Sequence, residues 1–199
     1  MNFHHRAITV IFTIMYSVCS LGQIGLGGKI GYSHTHTANA IRGKSYDSFN
    51  GGLTSSWKVS NVFHVNGDIL FTGRGYEVDN GVYDEVSSTY KDCKVRFKYI
   101  DIPILLEYNI NHYVSLEIGP YVGVQILRKL YYDNEEQNKN LLGKKQSFDM
   151  GLLAGIKGKY KGIFIEVLYQ KGMTQAFKDV DGFESKGVCI NMGYLINLK

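Results

Sequence analysis

Along most of this chain apolar and polar residues alternate one by one. Over 113–127, Val114, Leu116, Ile118, Val122, Val124 and Ile126 share one phase with Pro120, while Ser115, Glu117, Gly119, Tyr121, Gly123 and Gln125 occupy the other. Side chains of an extended strand point to opposite faces in turn, so this segment has an aliphatic face and a polar or small one. Over 99–110 the pattern recurs, with Ile100, Ile102, Ile104, Leu106, Tyr108 and Ile110 set against Asp101, Glu107 and Asn109. It returns over 61–72, 148–156, 163–169 and 188–198, and more faintly in the Gly-rich stretches 24–33 and 49–58. The periodicity predicts eight strands.

Alternation alone does not say which face is inside. A soluble sandwich, or an exported lipocalin-like barrel holding an apolar ligand, buries its aliphatic face, whereas a membrane barrel turns that face to lipid and keeps a polar interior. Three features favour the second arrangement. The connections alternate: 58–61, 109–112 and 160–162 are tight, while 34–48, 73–94, 128–147 and 172–186 are long and polar. An even number of strands then places all short turns on one rim and all long loops on the other, as in outer-membrane barrels with periplasmic turns and extracellular loops. Strands of about ten residues, tilted by ~40°, also match an apolar band roughly 25 Å tall. Finally, the polar phase carries Lys29, Asp68, Asp101, Glu107, Glu117, Lys157 and Glu166 interspersed with Gly, a set of charges that can pair inside a narrow barrel. The expectation is therefore an all-β, eight-stranded, antiparallel up-and-down transmembrane barrel. Pro103 and Pro120 fall inside predicted strands and each removes a ladder hydrogen bond. They predict a bulge or kink where the fourth and fifth strands pair.

Composition agrees with strands. The 199 residues include 23 Gly, 15 Tyr and 10 Phe but only 2 Pro, and 44% are apolar. That excludes a collagen-like, Pro-rich or disordered chain and argues against a helical bundle. A net charge of +4, with basic residues spread throughout, gives no footprint for nucleic acid. At the N-terminus, His4, His5 and Arg6 precede an uncharged, mostly apolar stretch over 7–18 and the small residues Ser20 and Gly22. This is the pattern of a cleaved signal peptide over 1–22, leaving a barrel domain over 23–199. Cys93 and Cys189 then remain, on opposite sides of the predicted barrel, and are expected as free thiols.

Several segments resemble the PorT-like outer-membrane β-barrel family of Gram-negative bacteria. They are the run Leu26, Gly27, Gly28, Lys29, Ile30, Gly31, Tyr32; the Pro-centred strand over 99–108; Gly119, Pro120, Tyr121, Val122, Gly123; and Phe148, Asp149, Met150, Gly151. The resemblance spans about 24–198 and implies an eight-stranded barrel in the outer membrane. It also accounts for Pro103. Some members serve the type IX protein-secretion machinery, and the resemblance carries no catalytic residues. The C-terminus departs from the family's usual aromatic end, since Tyr194 is followed by Leu195, Ile196, Asn197, Leu198 and Lys199.

Candidate chemistry is sparse. His34 and His36 share a strand face but lack a third metal ligand, and Asp179, Asp181 and Gly182 form only half a calcium loop. Glu135 and Glu136 read as loop charge. For an outer-membrane lipid hydrolase, His64 with Asp68 or Ser115 with Glu117 could supply a base and a nucleophile or its partner. Both pairs lie near the short-turn rim, away from surface lipid, and fit a lumen hydrogen-bond network better. No phosphate loop, nucleophile elbow or zinc spacing occurs, so no catalytic residue, metal or cofactor is expected. Eight strands enclose an interior filled by side chains, which argues against an open pore. Function is then expected on the long loops, where Arg74, Tyr76, Tyr83, Tyr90, Tyr131 and Tyr132 suit another envelope protein or a glycan, with outer-membrane lipid around the barrel.

Overall fold

The computed structural model describes residues 23–37, 43–84, 89–132, 135–136, 148–175 and 184–198. Eight long strands run in chain order: β1 (Ile24–Thr37), β2 (Tyr46–Lys58), β3 (Phe63–Asp84), β4 (Thr89–Asn109), β5 (Val114–Tyr132), β6 (Phe148–Tyr160), β7 (Ile163–Gln175) and β8 (Glu184–Leu198). Each pairs antiparallel with its neighbour in sequence, and β1 pairs with β8 from Ile24↔Leu198 to Thr37↔Ser185. The sheet is therefore a closed meander with no free edge. Two short ladders are added at the long-loop end, Gly43–Lys44 on β3 and Glu135–Glu136 on β5.

The aliphatic phase faces outward everywhere. Ile100, Leu116 and Val167 are 37%, 46% and 40% exposed, whereas Glu107 and Glu117 are 3% and 2% exposed. Ile102, Ile118 and Val122, which a soluble barrel would bury together, are also exposed. Water would penalise such a continuous apolar surface; the hydrocarbon of a bilayer is its matching solvent. Aromatic residues flank the band. Trp57, Phe63, Tyr108, Tyr113, Tyr160 and Tyr194 form a girdle at the short-turn rim, with Phe63 and Tyr108 rings 5.4 Å apart. Tyr32 and Phe49 meet edge to face at 5.9 Å further along the wall.

The short turns occupy 59–62, 110–113 and 161–162, each within two residues of its predicted position. Local side chains close two of them. Ser60 Oγ accepts from the amides of Val62 and Phe63, and Asn111 Oδ1 accepts from those of Tyr113 and Val114. At the third, Lys161 and Gly162 both have positive φ, 50° and 87°, the two-residue geometry that suits the right-handed twist of a hairpin.

The long-loop end differs from expectation. Strands continue well past their predicted ends, so 73–94 is chiefly a β-hairpin extension rather than a loop. The prolines also act differently from a simple bulge. Around Pro103 the ladders on both sides lapse without changing register: Ile104 and Leu105 have no bridge partner on β5, and Ile102 and Pro103 have none on β3. The register shift in this strand pair lies at Lys98/Tyr99 instead.

Candidate functional site: a sealed lumen between two rims

The polar phase of all eight strands converges on the barrel axis in layers. The layer nearer the short turns centres on Lys157 of β6. Its Nζ lies 2.6 Å from Glu117, 3.3 Å from Glu107 and 3.7 Å from Glu166, and 4.8 Å from the centroid of the Phe164 ring. Lys29 of β1 bridges Glu166 at 2.5 Å and Asp68 at 2.7 Å. Asn66 donates to both Glu107 and Glu117, and Asn191 donates to Glu166. Lys159, partly exposed, adds a 2.5 Å bridge to Glu107. These groups come from β1, β3, β4, β5, β6, β7 and β8, so the network ties nearly the whole circumference together.

Nearer the long loops a second layer centres on Arg74. Its guanidinium bridges Asp101 of β4 at 2.5 Å and Asp149 of β6 at 2.6 Å. It also lies over the Tyr99 and Tyr121 rings at 4.5 and 5.1 Å. Thr72 donates to Asp101, while Tyr121 and Thr174 donate to Asp149. Between the layers runs an apolar belt of Leu70, Pro103, Leu105, Leu153, Leu168 and Cys189. The space left in this middle section is about 30 Å³, room for a water or two and not for a channel.

Arg74 corrects the sequence-based expectation. It is a buried lumen cation, 5% exposed, rather than a loop residue for partners. Continuing the period of two through Asn66, Asp68, Leu70 and Thr72 puts Arg74 in the polar phase, and that signal could have found it. Similarly, Leu70, Leu105, Leu153 and Leu168 stand in the polar phase of four different strands, which announces an internal belt.

The remaining candidates are placed as follows. His34 lies on β1, not in a loop, and pairs with Asp47 at 2.6 Å; His36 is exposed nearby. Among the described residues no group of three or more His, Cys, Asp or Glu could hold a metal ion. His64 contacts Asn109 at 2.8 Å while Asp68 is committed to Lys29, so the two are not brought together as a pair. Ser115 Oγ points at the Lys157 carbonyl at 3.5 Å, and Glu117 belongs to Lys157 and Asn66. Cys189 is a free thiol buried beside Ser33. The side chains of Tyr76, Tyr83, Tyr90, Tyr132, Cys93, Glu135 and Glu136, and all of 176–183 with Asp179 and Asp181, lie outside the described residues.

A closed, antiparallel, eight-stranded wall with a lipid-compatible exterior and an ion-paired interior defines a transmembrane β-barrel. The chain belongs to the outer-membrane β-barrel family: the model of the outer membrane protein beta-barrel domain matches residues 17–178. Its place is the cell outer membrane. Among solved structures it is similar to Ail, the attachment invasion locus protein of Yersinia pestis, at 19% identity and TM-score 0.50, over 88% of this chain and 99% of that one. A second Ail structure, in complex with the heparin analogue sucrose octasulfate, is similar at 18% identity and TM-score 0.50, with the same coverage. Neisserial surface protein A is similar at 10% identity and TM-score 0.51, over 86% of this chain and 96% of that one. At these identities the likeness concerns the fold alone. No curated protein matches the sequence.

Proposed function

We propose that this outer-membrane barrel is a structural and interaction protein, an accessory of a protein-secretion or surface assembly, exported by a signal peptide over 1–22 and working through its extracellular rim. The single observation that carries this reading is the sealed lumen. With ion pairs from six strands interlocked across the axis and about 30 Å³ left in the middle section, the middle of the barrel offers neither a pore nor a ligand chamber. The end where β3 and β4 extend as a long hairpin beyond the lumen layers is then a surface for partners. The resemblance to the PorT-like family supports the secretion-accessory part of the reading. The Ail complex with a sulfated sugar analogue supports a glycan as one kind of rim ligand.

Crosslinking on intact cells, followed by purification of the tagged barrel, tests this. Expected is a discrete envelope protein or glycan partner that is lost when 85–88 and 133–147 are replaced by short Gly-Ser connections while the barrel still inserts. Partner capture that is indifferent to those replacements would remove the rim from the proposal. Retention of residues 1–22 in the mature protein, read by N-terminal sequencing, would remove the signal peptide.

A further inference from the structure

The short-turn end of the barrel opens into a second space that the sealed lumen does not use. It is a vestibule of about 960 Å³, lined at its floor by Glu107, Lys157 and Phe164 and at its mouth by the three short turns. This volume is in the range of pockets that enclose a small molecule or short peptide. The strand period dictates its wall. Lys58 continues the inward phase of Ser48, Asn50, Thr54 and Ser56 on β2; His64 leads that of β3; Asn109 ends that of β4; Lys159 extends that of β6.

Charge is uneven here. Four lysines, Lys58, Lys157, Lys159 and Lys161, line the vestibule with His64 and His112, against Glu107 as the lining carboxylate. Lys157 and Lys159 are committed to the carboxylates of the lower lumen layer. Lys58 and Lys161 have no carboxylate partner among the described residues; Lys161 rests over the Tyr160 ring at 5.3 Å. They sit on β2 and on the β6–β7 turn, on opposite sides of the ring of strands. Between them lie the amides of Gln23, Asn61 and Asn197, groups that both donate and accept, beside Asn109 and Asn111, which are held by His64 and Lys159 and by the 110–113 turn. Lys161 is held at a φ of 50°, where Asn or Gly is the residue that fits without strain. A cation kept at that cost, facing an open vestibule, points to use of its charge.

We infer that this vestibule is a periplasmic binding site for a short peptide bearing at least two separated carboxylates. Lys58 and Lys161 engage the carboxylates from opposite walls, and the side-chain amides of Gln23, Asn61 and Asn197 pair with the peptide's own N–H and C=O groups. Among the described residues the mouth has neither an arginine fork nor a helix N-terminus to favour phosphate, whereas side-chain amides, which offer both a donor and an acceptor, match a peptide backbone. Two periplasmic sources carry this chemistry, the stem peptides of the cell wall and the acidic terminus of a protein.

The test uses the protein purified from outer membranes and placed in phospholipid nanodiscs. Binding is measured calorimetrically for a synthetic pentapeptide with two Glu and a free C-terminus, for its fully amidated counterpart, for soluble muropeptides and for inorganic phosphate. Expected is saturable binding of the acidic pentapeptide, the muropeptides or both, at least tenfold tighter than the amidated peptide and phosphate. Expected too is a loss of at least tenfold in the Lys58→Gln/Lys161→Gln variant, which leaves every lumen ion pair intact. Preference for muropeptides assigns the cell wall as the source, and preference for the linear peptide assigns a protein terminus. Equal binding of the amidated peptide or phosphate, undiminished binding by the variant, or no binding of either peptide source would overturn the proposal.

Discussion

At the scale of single residues the lumen makes buried charge depend on completed pairing. Lys157 serves three carboxylates at once from a site that is 3% exposed. Replacing it by Met leaves Glu107, Glu117 and Glu166 facing one another without their shared cation. Breaking a buried pair from one side costs about 3–5 kcal/mol, and Lys157→Met is expected to lose that much in urea unfolding from detergent micelles. Lys159 contacts Glu107 from a partly exposed site, where water can replace it. Lys159→Met is accordingly expected to cost roughly 1 kcal/mol or less. Comparable losses for the two variants would mean that the layers are not organised around Lys157. Lys161 works in the opposite direction. A non-Gly side chain in the left-handed region is strained by about 1 kcal/mol, which Asn tolerates better. Lys161→Asn should therefore raise stability by roughly 0.5–1 kcal/mol while removing one vestibule cation, a separation that the same unfolding assay and the peptide titration would read together.

At the scale of elements the wall is controlled by close approach of strands and by solvent on its outer face. Gly155 faces inward on β6, and a Cβ there would lie 1.9 Å from the carbonyl oxygen of Val167 on β7. That oxygen belongs to the backbone and has no flexible end to swing away. Gly155→Ala should cost about 1–3 kcal/mol as an overpacking defect, whereas Gly28→Ala, whose Cβ would meet nothing closer than 3.5 Å, should be nearly neutral. The outer face gives a different test. Ile118 is 57% exposed within the aliphatic band. Lysine near the middle of a bilayer costs ~2–4 kcal/mol, so Ile118→Lys should destabilise the inserted barrel by that amount. A neutral or solubilising effect would instead mean that water bathes this face. These elements also show what the sequence made legible. Strand number, phase and the short turns followed from alternation and turn residues alone, because inside and outside differ at every second position. The long-loop ends did not, because over 73–94 the aliphatic phase fades once the strands leave the band that lipid demands. For the same reason Arg74 read as a loop residue. The exchange of bulge and lapse near Pro103 was not legible either, since a missing amide shows that a bond is lost but not how the neighbouring strands share the gap.

At the scale of the whole molecule the lower ion-paired layer, the leucine belt and the Arg74 layer lie in series along one axis. An ion crossing the barrel would have to pass all three, and the total resistance is set by the tightest. Loosening the upper layer and the belt beneath it therefore leaves the path closed at the Lys157 layer. Tyr121 is buried between Arg74 and Asp149 on one side and the belt residues Leu105, Leu153 and Leu168 on the other. Tyr121→Ala removes that ring but touches neither Lys157 nor its carboxylates. In planar bilayers both the wild-type protein and Tyr121→Ala are expected to show no current steps above the bare-membrane background. The same holds in either voltage direction, because the space at the belt is about 30 Å³ and the lower layer is filled by Lys157 and its carboxylates. The vestibule does not change this, since it ends on the Lys157 layer. Ohmic steps from the wild type would show that the ion pairs part readily and would turn attention from the rim to the lumen. Steps from Tyr121→Ala alone would show that the seal lies in the Arg74 layer and the belt, and that the Lys157 network, for all its pairing, does not close the barrel.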